Sequence, residues 1–350
     1  MKHTGNWGTN VREKLLALHS KDSNVSNLVL MGAAVLLVIA ILKPVKFYTF
    51  NNFQSMAYQF PQFGLLAIGI MLTMITGGID LSVVGIANLS AITAALTMMA
   101  LVPAHATGPY VLLVMLLSCA IALGVGFVTG LVNGLLVSAV GIPAILATLG
   151  SMQLFTGISI VLTKGKGLNR LPPLYPAIGN AAVFGIIPVP LIVFLVFLLL
   201  VGVLLKKTTF GPKIYMMGTN MTAARFSGLN IRRLLNQTYI YSGILSSAAG
   251  LVMMARLNSA KADYGLEYTL QCILIVILGG VKPEGGFGKI GGVLLAILIL
   301  QFLSSVINMF PHVSNFYKLL IWGLVLLLVM IFQNFAASGR RPVAKTYDVL

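Results

Sequence analysis

The sequence predicts an all-α polytopic membrane protein of about ten transmembrane helices, and three observations lead there. Of its 350 residues 58% are hydrophobic and 9% charged, with a mean hydropathy of +0.97; a soluble domain carries about 25% charged residues. Apolar runs of helical length follow one another along most of the chain. Between Phe47 and Thr163 there is no Lys, Arg or Glu, and Asp80 is the single acid.

The first 26 residues, MKHTGNWGTNVREKLLALHSKDSNVS, are polar and lack the short basic start of a signal peptide. Within them NVREKLLALHS, with Asn10 as candidate N-cap, reads as an amphipathic surface helix or as a solvated tail. A hydrocarbon core of ~30 Å takes about 20 helical residues. On that basis spans fall at 27–43, 55–76, 80–100, 110–137, 142–163, 186–205, 235–255, 268–280, 290–310 and 317–335. The run from Tyr110 to Thr163 is too long for one span and divides at VGIPA, where Gly141 and Pro143 interrupt a helix. The chain thus reads as an N-terminal segment, 1–26, a membrane domain, 27–335, and a tail, 336–350. Both cysteines, Cys119 and Cys272, lie in apolar runs as packing residues.

A net charge of +16 does not point to nucleic acid, because the basic residues are dispersed among the loops. With the N-terminus inside, inner loops hold 15 basic residues and outer loops 8. That excess predicts cytoplasmic termini. Two connections stand out. KGKGLNRLPPLYPAIGN (Lys164–Asn180) falls outside, and KKTTFGPKIYMMGTNMTAARFSGLNIRRLLNQ (Lys206–Gln237) falls inside with six basic residues.

Chemistry in the catalytic sense is missing from the pattern. No two of the seven acids are spaced as a pair on one buried helix face, and the four histidines form no ligand cluster. PEGGFGKIGG (Pro283–Gly292) holds a Gly-Lys after glycines but lacks the GxxxxGK[ST] spacing of a phosphate loop. No enzyme activity, metal or cofactor is therefore expected; any ATP must be bound by another polypeptide. The inner connection is more informative. MGTNMTAARFSGLN reads as a short helix with Thr219 or Asn220 as N-cap and Gly228 as its left-handed end. Such a helix is an interfacial element held by its basic residues, or a rigid peg for a cytoplasmic partner.

Asp80, in GGIDLS, is the other singular feature. A carboxylate at the centre of a span costs roughly 2.5–3.5 kcal/mol on insertion scales. It either caps a helix starting at Leu81, accepting from Ser82 or Val83, or marks a broken helix beside a polar path. Ser82, Asn88, Ser90, Asn133, Thr148, Gln153, Gln271 and Gln301 are the other polar residues placed in spans. Each is a candidate for the path or for a helix–helix hydrogen bond.

Four stretches, in order, resemble the sugar-type permease subunits of bacterial ABC importers, the ribose permease family. GGIDLSVVGIANLSA is similar to its GGIDLSVG segment, and GLVNGLLVSAVGIPAILATLG to its NGxLV…IPxFIxTLG run. FGPKIYMMGTNMTAARFSGLNI resembles the loop thought to dock on the ATPase. ARLNSAKADYGLEYTLQCILIVILGGVKPEGGFGKIGG resembles its ARxxSAxP…VLGGxxxxGGxG segment. Together they spread over most of 60–310. Ala144 stands where the family usually has a bulky aromatic, and Thr269 and Gln271 replace two acids.

The resemblance implies the ABC importer permease fold and a chain of the bacterial inner membrane that carries a sugar or polyol. It implies as partners a cytoplasmic ABC ATPase, a second permease chain, identical or homologous, and an extracytoplasmic solute-binding protein. Two groups of working residues are then expected, the first from the polar residues of the spans and the second from the resemblance of the inner loop. Asp80, Ser82, Asn88, Asn133, Thr148 and Gln271 would line or gate the path. Gly218, Thr219, Asn220, Ala224, Arg225, Ser227 and Gly228 would couple to the ATPase, with Arg225 in polar contact with it. An ion-coupled carrier or a facilitative channel is the competing expectation; such proteins often keep several buried ionisable residues, and this chain offers only Asp80.

Overall fold

The computed structural model describes residues 23–42, 44–103, 108–169, 171–310 and scattered positions between 317 and 331. It is a bundle of helices. In chain order these are α1 (Ser23–Leu42), α2 (Pro44–Phe47), α3 (Phe50–Ile75), α4 (Val83–Leu101), α5 (Pro109–Leu135), α6 (Ala144–Thr163), α7 (Leu174–Gly179), α8 (Val189–Lys207), α9 (Phe210–Thr219), α10 (Met221–Phe226), α11 (Ile231–Leu257), α12 (Tyr268–Leu278) and α13 (Ile290–Asn308). A π-helical turn, Leu136–Val140, extends α5, and β1 (Ala182–Val183) and β2 (Ile187–Pro188) form an antiparallel hairpin. The described positions from 317 to 331 are helical. They lie where the last span is predicted, most of which, like the N-terminal segment and the tail, is outside the described residues.

Among the described residues, seven helices are long and apolar enough to cross a membrane: α3, α4, α5 with its π turn, α6, α8, α11 and α13; within α1 there is a shorter apolar stretch, Val25–Ile41. Burial sorts them. In the apolar window of α3, 89% is buried, against 22% for α8. Every residue of α3 from Phe60 to Ile75 is buried, which is the character of a helix enclosed by other helices. α3, α4 and α11 form the centre, while α5, α6 and α8 turn wide apolar faces outward, with Leu113, Val161 and Leu199 among the exposed side chains.

Apolar side chains gain nothing by leaving lipid for protein, so close packing must bring such helices together. One ridge does this here. Gly126, Gly130 and Gly134 recur every fourth residue on α5, and a Cβ on any of them would collide with α11 at Gly243 and Ser247, at Tyr239 and Ile240, or at Asn236. Glycine there lets the two backbones touch.

Several boundaries differ from the sequence reading. α4 begins at Val83 rather than near 80, because Thr76–Ser82 is non-helical. The segment read as a span at 268–280 is corrected: α12 has 11 residues and at 1.5 Å per residue covers only about 16 Å. Irregular, glycine-rich backbone follows it, and Gly286 N–H donates to the Ile75 carbonyl at 2.8 Å. Such backbone is tolerated at membrane depth only where protein or a polar cavity surrounds it. The hairpin before α8 is new: Phe184 and Gly185 both have positive φ, 53° and 72°, without the Asn-Gly signal that announces such turns. The break at VGIPA stands as expected, with Gly141 left-handed (φ 84°) and Pro143 preceding α6.

Candidate functional site

The seven residues between α3 and α4 form the break. Gly77 takes φ 83°, which a side chain would strain, and Gly78 lies where a Cβ would be 2.8 Å from the Tyr239 hydroxyl and 3.0 Å from the Ala144 Cβ. Thr148, on α6, clamps the segment: its Oγ1 accepts from Leu81 N–H at 3.1 Å and donates to the Ile79 carbonyl at 3.0 Å.

Asp80 is fully buried in this break. Its Oδ1 accepts from the Ser82 backbone N–H at 3.0 Å and the Ser82 hydroxyl at 2.6 Å, and its Oδ2 accepts from the Ser242 hydroxyl at 2.8 Å. The Ser82 hydroxyl in turn accepts from Asn133 Nδ2 at 2.7 Å. A chain of donors therefore runs from α5 through Ser82 to the carboxylate, and a second donor reaches it from α11. The capping expectation is corrected in one respect: Ser82 occupies the N-cap position of α4, and Asp80 tightens the turn two residues earlier. The carboxylate ties the break to α11 directly and to α5 through the Ser82 hydroxyl.

Asp80, Ser82, Asn133 and Thr148 thus come together. Asn88 does not join them; its Nδ2 donates to the Ala262 and Tyr264 carbonyls, fastening α4 to the loop between α11 and α12. Gln271 is buried on α12 and shares no hydrogen bond with the group. Sequence reasoning missed Ser242 and Tyr239. Tyr239 is buried with its hydroxyl unpartnered, beside Gly78. Among the described residues there is no cluster of three or more metal-ligating side chains.

The second group is built locally. α10 is capped at its start by Asn220, whose Oδ1 accepts from Ala223 N–H at 2.9 Å. At its end Gly228 has φ 81°, Leu229 N–H donates to the Ala224 carbonyl (3.1 Å) and Gly228 N–H to the Arg225 carbonyl (3.0 Å). Those two bonds make a Schellman closure. Ser227 adds a hydroxyl bond to the Ala223 carbonyl, and Ala224 is the one buried residue of the helix. Phe226 is 89% exposed, with Thr222 and Ala223 also exposed.

The two groups touch. A Cβ on Gly218, at the end of α9, would strike the Ile75 carbonyl and Gly286 N; one on Gly285 would lie 2.8 Å from Gly77 N and 2.9 Å from the Gly218 carbonyl. Thr219 lies against Gly286. Bare backbone thus joins α9 and α10 to the last residue of α3 and to the break. Next to this joint is a cavity of about 400 Å³, lined by Gly77, Gly78, Ala144, Arg225, Arg232 and Tyr239 among others.

Comparison with known proteins gives a consistent result. The chain is 34% identical over 307 residues to the ribose import permease protein RbsC of Escherichia coli (strain K12), covering 86% of this chain and 92% of that one. To the ribose import permease protein RbsC of Bacillus subtilis (strain 168) it is 35% identical over 303 residues, 86% of this chain and 89% of that one. Identity to the L-arabinose transport system permease protein AraH of Escherichia coli (strain K12) is 29% over 319 residues, 89% and 90% of the two chains. No solved structure matches the chain. The family described as the branched-chain amino acid transport system / permease component matches residues 52–330, and with the broken span and bundle described above this chain belongs to it.

Proposed function

We propose that this chain is the membrane-spanning permease subunit of an ATP-driven, binding-protein-dependent importer of a sugar or sugar-like solute. One observation carries the reading: relatives similar over nearly their whole length are named as ribose and L-arabinose permeases. The geometry supports a way for such a subunit to work. A separate cytoplasmic ATPase grips α10 on its outward side, at Phe226, Thr222 and Ala223. Arg225, exposed and also lining the cavity with Met221, adds a polar contact to the motor. Movement of α10 passes through Asn220, Thr219 and Gly218 to Ile75 and Gly286, and so to the break that holds Asp80. A segment with two discrete sets of hydrogen bonds there switches the path between its inward and outward openings.

In this reading the chain sits in the bacterial inner membrane with both termini in the cytoplasm, beside a second permease chain. An extracytoplasmic binding protein delivers the solute on the opposite face. Weak, neutral hydrogen-bonding groups such as Ser82, Asn133 and Thr148 suit a hydroxylated solute that must be released. The test is affinity capture of the tagged chain from gently solubilised native membranes, with Phe226→Asp alongside. Recovery of an ATPase that the variant loses supports the assignment. Well-folded protein that repeatedly returns without an ATPase overturns it in favour of a self-sufficient carrier.

A further inference from the structure

The cavity beside the joint is a collecting point for positive charge. Arg225 and Arg232 both line it, and no Asp or Glu does. The nearest acid in sequence, Asp80, lies two residues beyond the lining Gly78, and its carboxylate is already held by Ser82 and Ser242. Two helix starts face it as well. Pro143 and Ala144, at the start of the 20-residue α6, and Ile231 and Arg232, at the start of the 27-residue α11, are all lining residues. A helix start carries roughly half a positive charge and favours anions. The first turn of α11 nevertheless holds Arg232 and Arg233 and no acid, the arrangement that raises repulsion unless an anion answers it. At the floor, beside Gly78, lies the Tyr239 hydroxyl, fully buried and without a partner. Ser138 supplies a further hydroxyl on the wall. The volume, about 400 Å³, falls in the range of small-ligand sites.

We infer that this cavity binds a phosphate monoester or diester, its phosphate held between Arg225, Arg232 and the start of α6, with the remaining polar groups left for hydroxyls on the ligand. A guanidinium pair matches the planar, multi-acceptor face of a phosphate better than that of a halide or a neutral solute. The same chemistry is offered by a soluble phosphorylated polyol and by a phospholipid headgroup. Bound there, the ligand lies between α10 and the Gly77–Gly78 backbone, where it would resist relative movement of the two. That regulatory consequence rests on the importer reading; the binding itself does not.

The test uses the intact chain in phosphatidylcholine nanodiscs, titrated with inorganic phosphate and with glycerol 3-phosphate by equilibrium binding. A parallel set of discs contains phosphatidylglycerol. Arg232→Gln removes one charge from the cavity; Lys207→Gln removes one from the end of α8, outside it. Saturable binding that falls about tenfold or more in Arg232→Gln and is nearly unchanged in Lys207→Gln is the expected result. Persistence of that binding in phosphatidylglycerol discs identifies a soluble ester as the ligand. Its loss there, with phosphatidylglycerol retained through purification in an Arg232-dependent way, identifies a headgroup. The inference is overturned if neither probe nor lipid binds saturably, or if both variants weaken binding equally, which is mere attraction to a basic loop. ATPase capture is unaffected by any of these outcomes, so failure here leaves the importer reading standing.

Discussion

The break at Asp80 and the helix α10 are both short departures from the membrane spans, yet they are stabilised in opposite ways. The break adds distant support to its local turn: its carboxylate accepts twice from Ser82 but also depends on Ser242 from α11, and the Ser82 hydroxyl on Asn133 from α5. By contrast, α10 closes its own ends with Asn220 and Gly228 and buries only Ala224. A segment held by its neighbours changes when they move. One that holds itself keeps its shape while being moved. In the importer proposed above, the contrast fits α10 to the passive, rigid role and the break to the switching role.

The largest effect should come from the tertiary contacts of the break. Asp80→Ala leaves the Ser82 N–H and two hydroxyls without their acceptor, at about 1–3 kcal/mol for each donor that stays buried and unpaired; thermal unfolding in nanodiscs should show a clear drop. Asp80→Asn is the sharper probe, since it keeps one acceptor oxygen. Expression should be retained while solute uptake in cells falls, and normal uptake at normal expression would remove the switching role. Next comes the joint. Gly218→Val drives a side chain into Ile75 and Gly286, so uptake and solute-stimulated ATP hydrolysis should fall while the ATPase still co-purifies. Loss of the ATPase from that variant would mean that the break and α10 are not separable.

On the α10 side the effects should be smaller and confined to association. Phe226→Ala should weaken ATPase binding by about 2 kcal/mol, roughly 30-fold, as for an exposed aromatic anchor, with the unfolding temperature unchanged. A fall in unfolding temperature would show that Phe226 serves the fold instead. Smallest of all, Asn220→Ala and Gly228→Ala should each destabilise α10 by about 1 kcal/mol. Hydrogen exchange should register this as faster opening of 221–229 with the spans unaffected.

How much of this was visible beforehand follows the same division. The capped helix was legible because its signals, Asn220 and Gly228, are eight positions apart and act on their own backbone. The break was legible as far as its glycines and lone acid announced it. Its partners were not. Ser242 lies 162 residues from Asp80, and a serine on an apolar helix carries no mark of the carboxylate it will meet. Tyr239 is hidden for the same reason. Asn88 looked equivalent to Asn133, yet one serves the loop after α11 and the other the break, a difference set by which helices pack together. The hydropathy of YTLQCILIVIL gives α12 its membrane character and an end within two residues of the observed one, but eleven residues do not span: GGVKPEGGFGK follows at once, with Lys282, Glu284 and Lys289 exposed.

The meeting of Gly77, Gly218 and the Gly285–Gly286 pair has a consequence for how such a chain can vary. Three stretches, far apart in sequence, meet there: a Cβ on Gly218, Gly285 or Gly286 would overlap its neighbours, and Gly77 holds a left-handed φ of 83°. Drift at Gly218, Gly285 or Gly286 cannot be rescued by a smaller neighbour, since what each would meet is mostly backbone of Ile75, Gly77, Gly218, Thr219 or Gly286. The contact is therefore inherited whole or lost whole, and related transporters that differ in cargo or in motor should acquire those differences around it. Anyone re-engineering this chain for another solute would do well to treat these glycines as fixed and to diversify the walls that surround them.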